Sequence, residues 1–301
     1  MLFPGGAFSD KAAGTTGAAF LKLPAGARIP ALGGCYAAAA DGAESMFWNP
    51  AGLSHLESTA RSEAALGYDA LLETMYSGSV SYATPLPNRR GVFGAAFEYF
   101  SQDSIQGYDP RGDRTSPFTP NDMAWAFGYG KTLGSLRLGG AVKFIRSQVA
   151  DASGESFGLD FGIEAERVSD IGDGPVDVGL SIQNFGPPIK LGSMSDPLPF
   201  SVAAGALWHV SPRMAGLLDA HMPVDADPYF SMGAEFVTPL SEGSQAAFRA
   251  GYNLRYTRGI DGLTGVSAGF GIDLQRLRLD YAWVPFGELG TTHRVAIGVR
   301  F

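Results

Sequence analysis

Two pairs of carboxylates are spaced closely enough to suggest acid–base chemistry: Asp160 with Glu164, and Asp273 with Asp280. General acid–base catalysis needs a titratable group held within hydrogen-bond reach of the proton it moves. All four side chains lie on the polar faces of segments in which apolar and polar residues alternate. We therefore expect them to form ion pairs with arginines of the same faces instead of a catalytic pair. The arginines that we expect as partners are Arg137, Arg249 and Arg278.

Other residues that carry chemistry are scattered. The four histidines are far apart in the sequence, and we expect them in loops or at an interface: His55, His209, His221 and His293. Cys35 is the one cysteine. The sequence thus predicts no catalytic, cofactor-binding or metal site and a protein that is not an enzyme, with lipid or detergent as its bound small molecules. The net charge of −8 argues against a nucleic-acid partner.

Strict alternation of side-chain type is the dominant pattern from about residue 60 to the end. Successive side chains of a β-strand face opposite sides, so each such segment has one apolar and one polar face. The pattern predicts fourteen strands, an even number as in closed antiparallel bacterial barrels. The clearest segments are 76–82, 93–99, 123–129, 136–144, 157–163, 176–182, 248–254, 277–283 and 293–301. Weaker segments lie near 60–69, 198–210, 212–222, 228–238 and 262–274.

A soluble β-sandwich or propeller is the alternative to a membrane barrel. Charged residues make up only 17% of the chain, below the roughly 25% of soluble domains. The apolar faces would expose far more apolar surface than a soluble monomer shows, unless lipid covers them. The connections also alternate between long (101–120, 185–198, 285–291) and tight (131–135, 210–213, 274–276). Outer-membrane barrels share this habit, so we predict an all-β, 14-stranded antiparallel transmembrane β-barrel.

The polar faces carry many charges together with glycine, which weakens a strand that faces solvent. A polypeptide inside the barrel accounts for both, because small residues make room for it and mixed charges pair across the lumen. The sequence predicts a lumen charge network of Glu98, Arg137, Lys143, Asp160, Glu164, Asp177, Arg249, Arg278, Asp280 and Arg294. Residues 1–58 lack strand alternation, so we assign 1–58 to an N-terminal hatch inside the lumen and 59–301 to the barrel.

Two stretches near the chain ends resemble a known family. Residues 26–34 (Gly-Ala-Arg-Ile-Pro-Ala-Leu-Gly-Gly), Asp41 and residues 47–53 (Phe-Trp-Asn-Pro-Ala-Gly-Leu) are similar to the hatch of the PorV/PorQ group. Residues 279–294 resemble the last hairpin of that group, which belongs to the superfamily of FadL-type outer-membrane proteins. The resemblance implies a fourteen-stranded barrel with the amino-terminal segment folded inside. The hatch or gate candidates that it implies are Arg28, Asp41, Trp48, Asn49 and Pro50.

Two functions follow from the resemblance. PorV-like members anchor or shuttle secreted proteins at the cell surface, whereas FadL-like members pass long-chain fatty acids and other hydrophobic molecules inward. The charged lumen and the lack of an apolar channel lining favour the anchoring function. A surface or secreted protein partner would then bind through loops 101–120 and 185–198, since long loops of this kind bind partners.

The same resemblance places the protein in the bacterial outer membrane, surrounded by its lipid. No export signal is recognisable, so we expect a signal peptide to have been removed. Phe301, a terminal aromatic residue, resembles the signal read by the barrel assembly machinery.

Overall fold

The computed structural model describes residues 3–257, 259 and 261–301. Fourteen strands pair antiparallel into one closed barrel, as the sequence predicts, and β8 and β9 form a separate two-stranded sheet. The barrel strands are β1 (Glu63–Ala70), β2 (Met75–Pro85), β3 (Val92–Gln102), β4 (Asn121–Leu133), β5 (Leu136–Val149), β6 (Ala152–Ile171), β7 (Gly174–Phe185), β10 (Ser201–Ser211), β11 (Met214–Pro223), β12 (Tyr229–Ser241), β13 (Ser244–Asn253), β14 (Val266–Leu274), β15 (Leu277–Pro285) and β16 (Thr291–Arg300). The small hairpin consists of β8 (Ile189–Leu191) and β9 (Met194–Asp196).

The two faces of the wall differ in the way the alternation predicts. Large apolar side chains point outward, and Phe127 and Phe248 expose 54% and 56% of their surface. Their sequence neighbours point inward and are buried, among them Ala126 and Arg249. Apolar exposure on this scale around a whole barrel requires lipid as the outer solvent.

The two ends of the barrel differ in the length of their connections. At one end, two-residue turns join the strands except at the six-residue connection 86–91, and both the start of β1 and the end of β16 lie there. Backbone hydrogen bonds of 2.9 and 3.0 Å between Ser62 and Phe301 extend the pairing of β1 with β16. The opposite end carries the long connections 103–120, 186–200 and 254–265, with 150–151 as a tight exception. Short turns of such barrels face the periplasm, so we name these the turn end and the loop end.

Residues 3–62, which precede β1, form the N-terminal segment. It contains only short helical turns, at Asp10–Ala12, Ala19–Lys22, α1 (Arg28–Ala31), Ala43–Phe47, Pro50–His55 and α2 (Leu56–Thr59). Further single turns lie at Pro87–Arg89, Leu254–Thr257 and Gly287–Leu289. Within the described residues, no helix has the length and apolar character needed to cross a membrane.

Several boundaries differ from those that alternation predicts. β6 continues to Ile171, well beyond 157–163, because its hairpin with β7 extends past the main wall. The predicted segment 248–254 ends as a strand at Asn253, since Leu254 begins a helical turn. The connection 185–198 holds the small β8–β9 hairpin, which is too short to leave a periodic signal.

Candidate functional site

Glycines on the inward face of the barrel lie where the backbone of the N-terminal segment touches the wall. A methyl group at Gly139 would overlap the backbone of Pro50, and one at Gly179 would overlap that of Ala37. Ordinary van der Waals contact begins near 3.4 Å, and both methyl groups would lie much closer than that to backbone atoms of the segment. We name the inward glycines that touch the segment the glycine face. Its members include Gly94, Gly128, Gly130, Gly139, Gly162, Gly179, Gly233, Gly251 and Gly269.

Polar side chains of the wall hold the backbone of the N-terminal segment. Buried backbone groups need hydrogen-bond partners, and a segment of short turns leaves many of them unpaired. Asp219 accepts from the backbone N–H groups of Tyr36 and Ala37 at 2.7 and 2.8 Å. Gln183 donates to the carbonyl of Phe47 at 2.9 Å. Ser181 donates to Trp48 and Asn253 to Gly33, at 2.7 and 2.8 Å. Polar side chains of the barrel wall therefore provide hydrogen-bond partners for the backbone of the irregular N-terminal segment.

Six charged side chains form a closed ring between the segment and the wall. The segment contributes Arg28 and Asp41, and β12, β13 and β15 contribute the others. Three guanidinium groups and three carboxylates alternate around the ring, and Arg278 also contacts Glu44 of the segment at 2.6 Å. The contacts in order are Arg28–Glu235 (3.1 Å), Glu235–Arg249 (2.8 Å), Arg249–Asp280 (2.6 Å), Asp280–Arg278 (3.1 Å), Arg278–Asp41 (3.8 Å) and Asp41–Arg28 (3.5 Å).

The other sequence-predicted hatch residues lie in the same segment. Trp48 packs against Tyr36, with ring centroids 5.3 Å apart. Asn49 accepts from the backbone N–H of Ala51 at 3.1 Å and donates to the carbonyl of Ala37 at 2.6 Å. Pro50 starts the helical turn that follows. Together they fix a tight bend of the backbone against the glycine face.

Some predicted ion-pair partners were wrong. Asp160 pairs with Lys143 at 2.8 Å, and Asp273 pairs with Arg300 at 2.9 Å. Lys143 lies diagonally across the β5–β6 register from Asp160, so the strand pairing decides this contact.

Glu164 also has an unexpected partner. Arg137 stands directly opposite Glu164 in the register but binds Glu166. The N-terminal segment brings His55 to Glu164, with 3.0 Å between Nε2 and the carboxylate.

The remaining lumen charges are placed as follows. Asp177 contacts His209 at 2.8 Å, and Arg294 contacts Asp69 at 3.4 Å. Glu98 is buried, and its Oε1 has no hydrogen-bond partner among the described residues.

The position of His221 differs from the sequence prediction, which placed each histidine in a loop or at an interface. It is buried in the lumen, stacks on Tyr229 with 4.7 Å between ring centroids, and shares a 2.8 Å hydrogen bond with Ser231. Its inward position on β11 follows from strand parity, since it shares a face with Asp219.

Phe301 follows β16 at the turn end, on the outer surface. It is 61% exposed and stacks on Tyr82 with 6.2 Å between ring centroids.

Ion pairs fasten the N-terminal segment at both ends of the barrel. At the loop end, Lys22 contacts Asp225 at 2.6 Å. At the turn end, Glu57 accepts from Lys131 at 2.7 Å and from the backbone N–H groups of Gly91 and Thr132 at 2.8 and 3.0 Å. Burial by itself would raise the pKa of Glu57, but these hydrogen bonds outweigh it and lower the pKa.

An apolar cavity of about 410 Å³ lies at the loop end. Sequence alternation does not reveal the lining of this cavity, because most of the lining residues lie in connections and in the irregular N-terminal segment. Its apolar lining consists of Phe20, Leu23, Leu71, Leu72, Met75, Phe100, Tyr256 and Phe286. Elsewhere in the lumen, the segment contacts the glycine face, and ion pairs of Arg28 and Arg278 join it to the wall.

Solved structures show the same fold at low sequence identity. The toluene transporter TbuX of Ralstonia pickettii is 13% identical, with a TM-score of 0.56 over 91% of this chain and 97% of that one. The P. putida toluene transporter TodX is 11% identical, with a TM-score of 0.53 over 91% and 96%. A Pseudomonas aeruginosa FadL homologue is 8% identical, with a TM-score of 0.54 over 93% and 98%.

Comparison with curated proteins finds no match. A family model does match, that of the type IX secretion system protein PorV, over residues 7–207. The family and the fold of this chain are those of secretion-related or transport barrels of the bacterial outer membrane, and not those of an enzyme family. With two thirds of its length covered by that model, the chain belongs to the PorV family.

Proposed function

We propose that this protein is a plugged outer-membrane barrel that anchors or shuttles a secreted or surface protein. The observation that carries the proposal is the fit between the backbone of the N-terminal segment and the glycine face. A wall that has no room for a single methyl group at Gly139, Gly162 or Gly179 is shaped around a resident segment. Residues 1–58 are then a permanent plug, residues 59–301 form the platform, and no step of catalysis is assigned to either.

The partner would bind at the loop end. The connection 103–120 is held as a projecting hairpin by bridges from Ile105 to Phe118 and from Tyr108 to Arg114. Tyr108 is 59% exposed, and large aromatic side chains of this kind are common anchors of protein interfaces. The connection 186–200, at the same end of the barrel, carries the β8–β9 hairpin.

Affinity capture from native membranes tests the proposal. The full chain should recover a stoichiometric partner, and deletion of 103–118 should abolish the recovery. Glu242→Gln, in the β12–β13 turn at the opposite end, is the control and should leave recovery unchanged. A barrel that is recovered alone under gentle extraction contradicts the platform function.

The apolar cavity at the loop end supports a second candidate, a channel for long-chain fatty acids or other hydrophobic small molecules. Uptake of radiolabelled oleate by cells that carry the barrel tests this function. A channel requires uptake above that of cells without the protein, and uptake should change when residues 1–50 are altered. We expect no uptake above background, because the seated segment closes the lumen below the cavity.

A further inference from the structure

A second cavity, of about 720 Å³, opens at the turn end of the lumen. We call it the turn-side vestibule. Its inner side is formed by Ala38 and His55 of the N-terminal segment, and its wall by β5, β6, β7 and β10. Because short turns face the periplasm, this vestibule is open to that compartment.

An irregularity in the wall accounts for the vestibule. The register between β6 and β7 shifts between Ala165 and Ser169, so three residues of β6 oppose one residue of β7. Such bulges bend a strand and re-aim its side chains. Arg167, inside the bulge, has a φ of 51° and donates its backbone N–H to Asp177 at 2.8 Å.

Two buried polar groups that line the vestibule have unused hydrogen-bonding atoms. Oε1 of Glu164 and Nε of Arg137 have no hydrogen-bond partner among the described residues. The Glu164 side chain is only 4% exposed, and its other oxygen is engaged by His55. A buried polar atom without a partner costs about 1–3 kcal/mol, so a ligand that donates to Glu164 and accepts from Arg137 is favoured.

The charge of the lining selects the sign of that ligand. Four carboxylates line the vestibule against two arginines and two histidines, and the histidines contact Glu164 and Asp177. Apolar atoms of Leu207, Val210, Pro175 and Pro212 complete the wall. The carboxylates are Glu164, Glu166, Asp173 and Asp177. This excess of negative charge favours a cationic group, and the aliphatic wall favours a peptide that carries apolar side chains beside it.

We propose that the turn-side vestibule binds a basic side chain on an extended segment of a periplasmic partner protein. The basic group donates to Glu164, and a carbonyl of the same segment accepts from Arg137. This site lies at the opposite end of the barrel from the loops assigned to the surface partner, so the two proposals stand or fall separately.

Binding of short fluorescent peptides to the full chain in lipid nanodiscs tests the proposal. The probe is a labelled Ala-Leu-Arg-Leu-Ala amide, and its counterpart has Glu in place of Arg. Fluorescence anisotropy should show saturable binding of the Arg peptide and none of the Glu peptide at the same concentrations. Glu164→Gln should weaken binding about tenfold, a loss of 1.4 kcal/mol.

Two further variants separate binding from folding. Asp173→Asn changes an exposed turn residue and should weaken binding about threefold without affecting the barrel. Glu242→Gln, in another exposed turn at the same end, is the matched control and should bind like the unaltered protein. Equal binding of both peptides, no binding to the unaltered protein, or full affinity in both Glu164→Gln and Asp173→Asn overturns the proposal.

Discussion

Neighbouring glycines of β5 provide a direct test of the seated N-terminal segment. Gly139 faces inward, and a methyl group there would overlap the backbone of Pro50 and Ala51. At Gly140 the nearest heavy atoms to such a methyl lie 3.7 Å away or more, which is ordinary contact. Gly139→Ala and Gly140→Ala therefore add the same group to adjacent positions of one strand, on opposite faces.

The expected difference follows from the overlap alone. An alanine in a strand is more favourable than glycine by roughly 0.5–1 kcal/mol, and this gain is common to both variants. A methyl group that overlaps backbone atoms, which cannot rotate away as a side chain can, costs about 1–3 kcal/mol of overpacking. Only Gly139→Ala introduces such an overlap. We expect the segment to detach from the wall about 5–150-fold more often in Gly139→Ala than in Gly140→Ala.

Tryptic cleavage after Arg28 reports this detachment, because the bond lies in the segment inside the lumen. When opening is fast relative to cleavage, the rate follows the population of the open form. Gly140→Ala should be cleaved at the rate of the unaltered chain, and the mobility of unheated protein on a gel checks that both barrels are intact. Equal cleavage rates in the two variants would refute the argument that the glycine face seats the segment.

Three further outcomes are expected. Phe161→Arg, on the lipid-facing side of β6, should cost roughly 2–4 kcal/mol in urea unfolding from vesicles, and an unchanged midpoint would contradict lipid exposure of this face. Deletion of Phe301 should lower the amount of assembled barrel in membranes, whereas Phe301→Tyr should not; normal levels of the truncated chain would argue against an assembly role. The lowered pKa of Glu57 means that its ionised form contributes stability above the ordinary value of 4.5, which is lost as the pH falls through the lower pKa of the folded state. The protection factor for hydrogen exchange at Gly91, which is the intrinsic exchange rate at each pH divided by the observed rate, should therefore fall at acid pH in the unaltered chain but show no such step in Glu57→Gln.

Strand alternation made most of the fold predictable. A period of two is a local property, so Phe161 outward and Gly162 inward can be read from adjacent residues. The even strand count and the closure of β1 on β16 then follow from the number of such segments. The bulge between β6 and β7 was not predictable, because a register shift depends on both strands and leaves no mark in either one alone.

The contacts of the N-terminal segment lay beyond sequence reasoning for a different reason. Arg28 and Glu235 are 207 residues apart, and nothing local relates them. Asp273 stands opposite Arg278 in the β14–β15 register, yet it binds Arg300 because Arg278 is engaged by Asp280 and by the segment. The partners of these charges thus depend on the path of an irregular chain, which has no periodicity to predict.

The closed ring of charges bears on the choice between platform and channel. A solute that leaves the apolar cavity toward the turn end must part the segment from the wall, and so must separate Arg28 from Glu235 and Arg278 from Glu44. Breaking a buried pair by removal of one partner costs about 3–5 kcal/mol, and the glycine-face contacts would be lost in the same step. Those costs fall on every transport cycle, whereas a platform that binds its partner at the loop end never incurs them. At the loop end, the ion pair between Lys22 and Asp225 also ties the segment to the connection that follows β11, so parting the segment from the wall would break this contact as well.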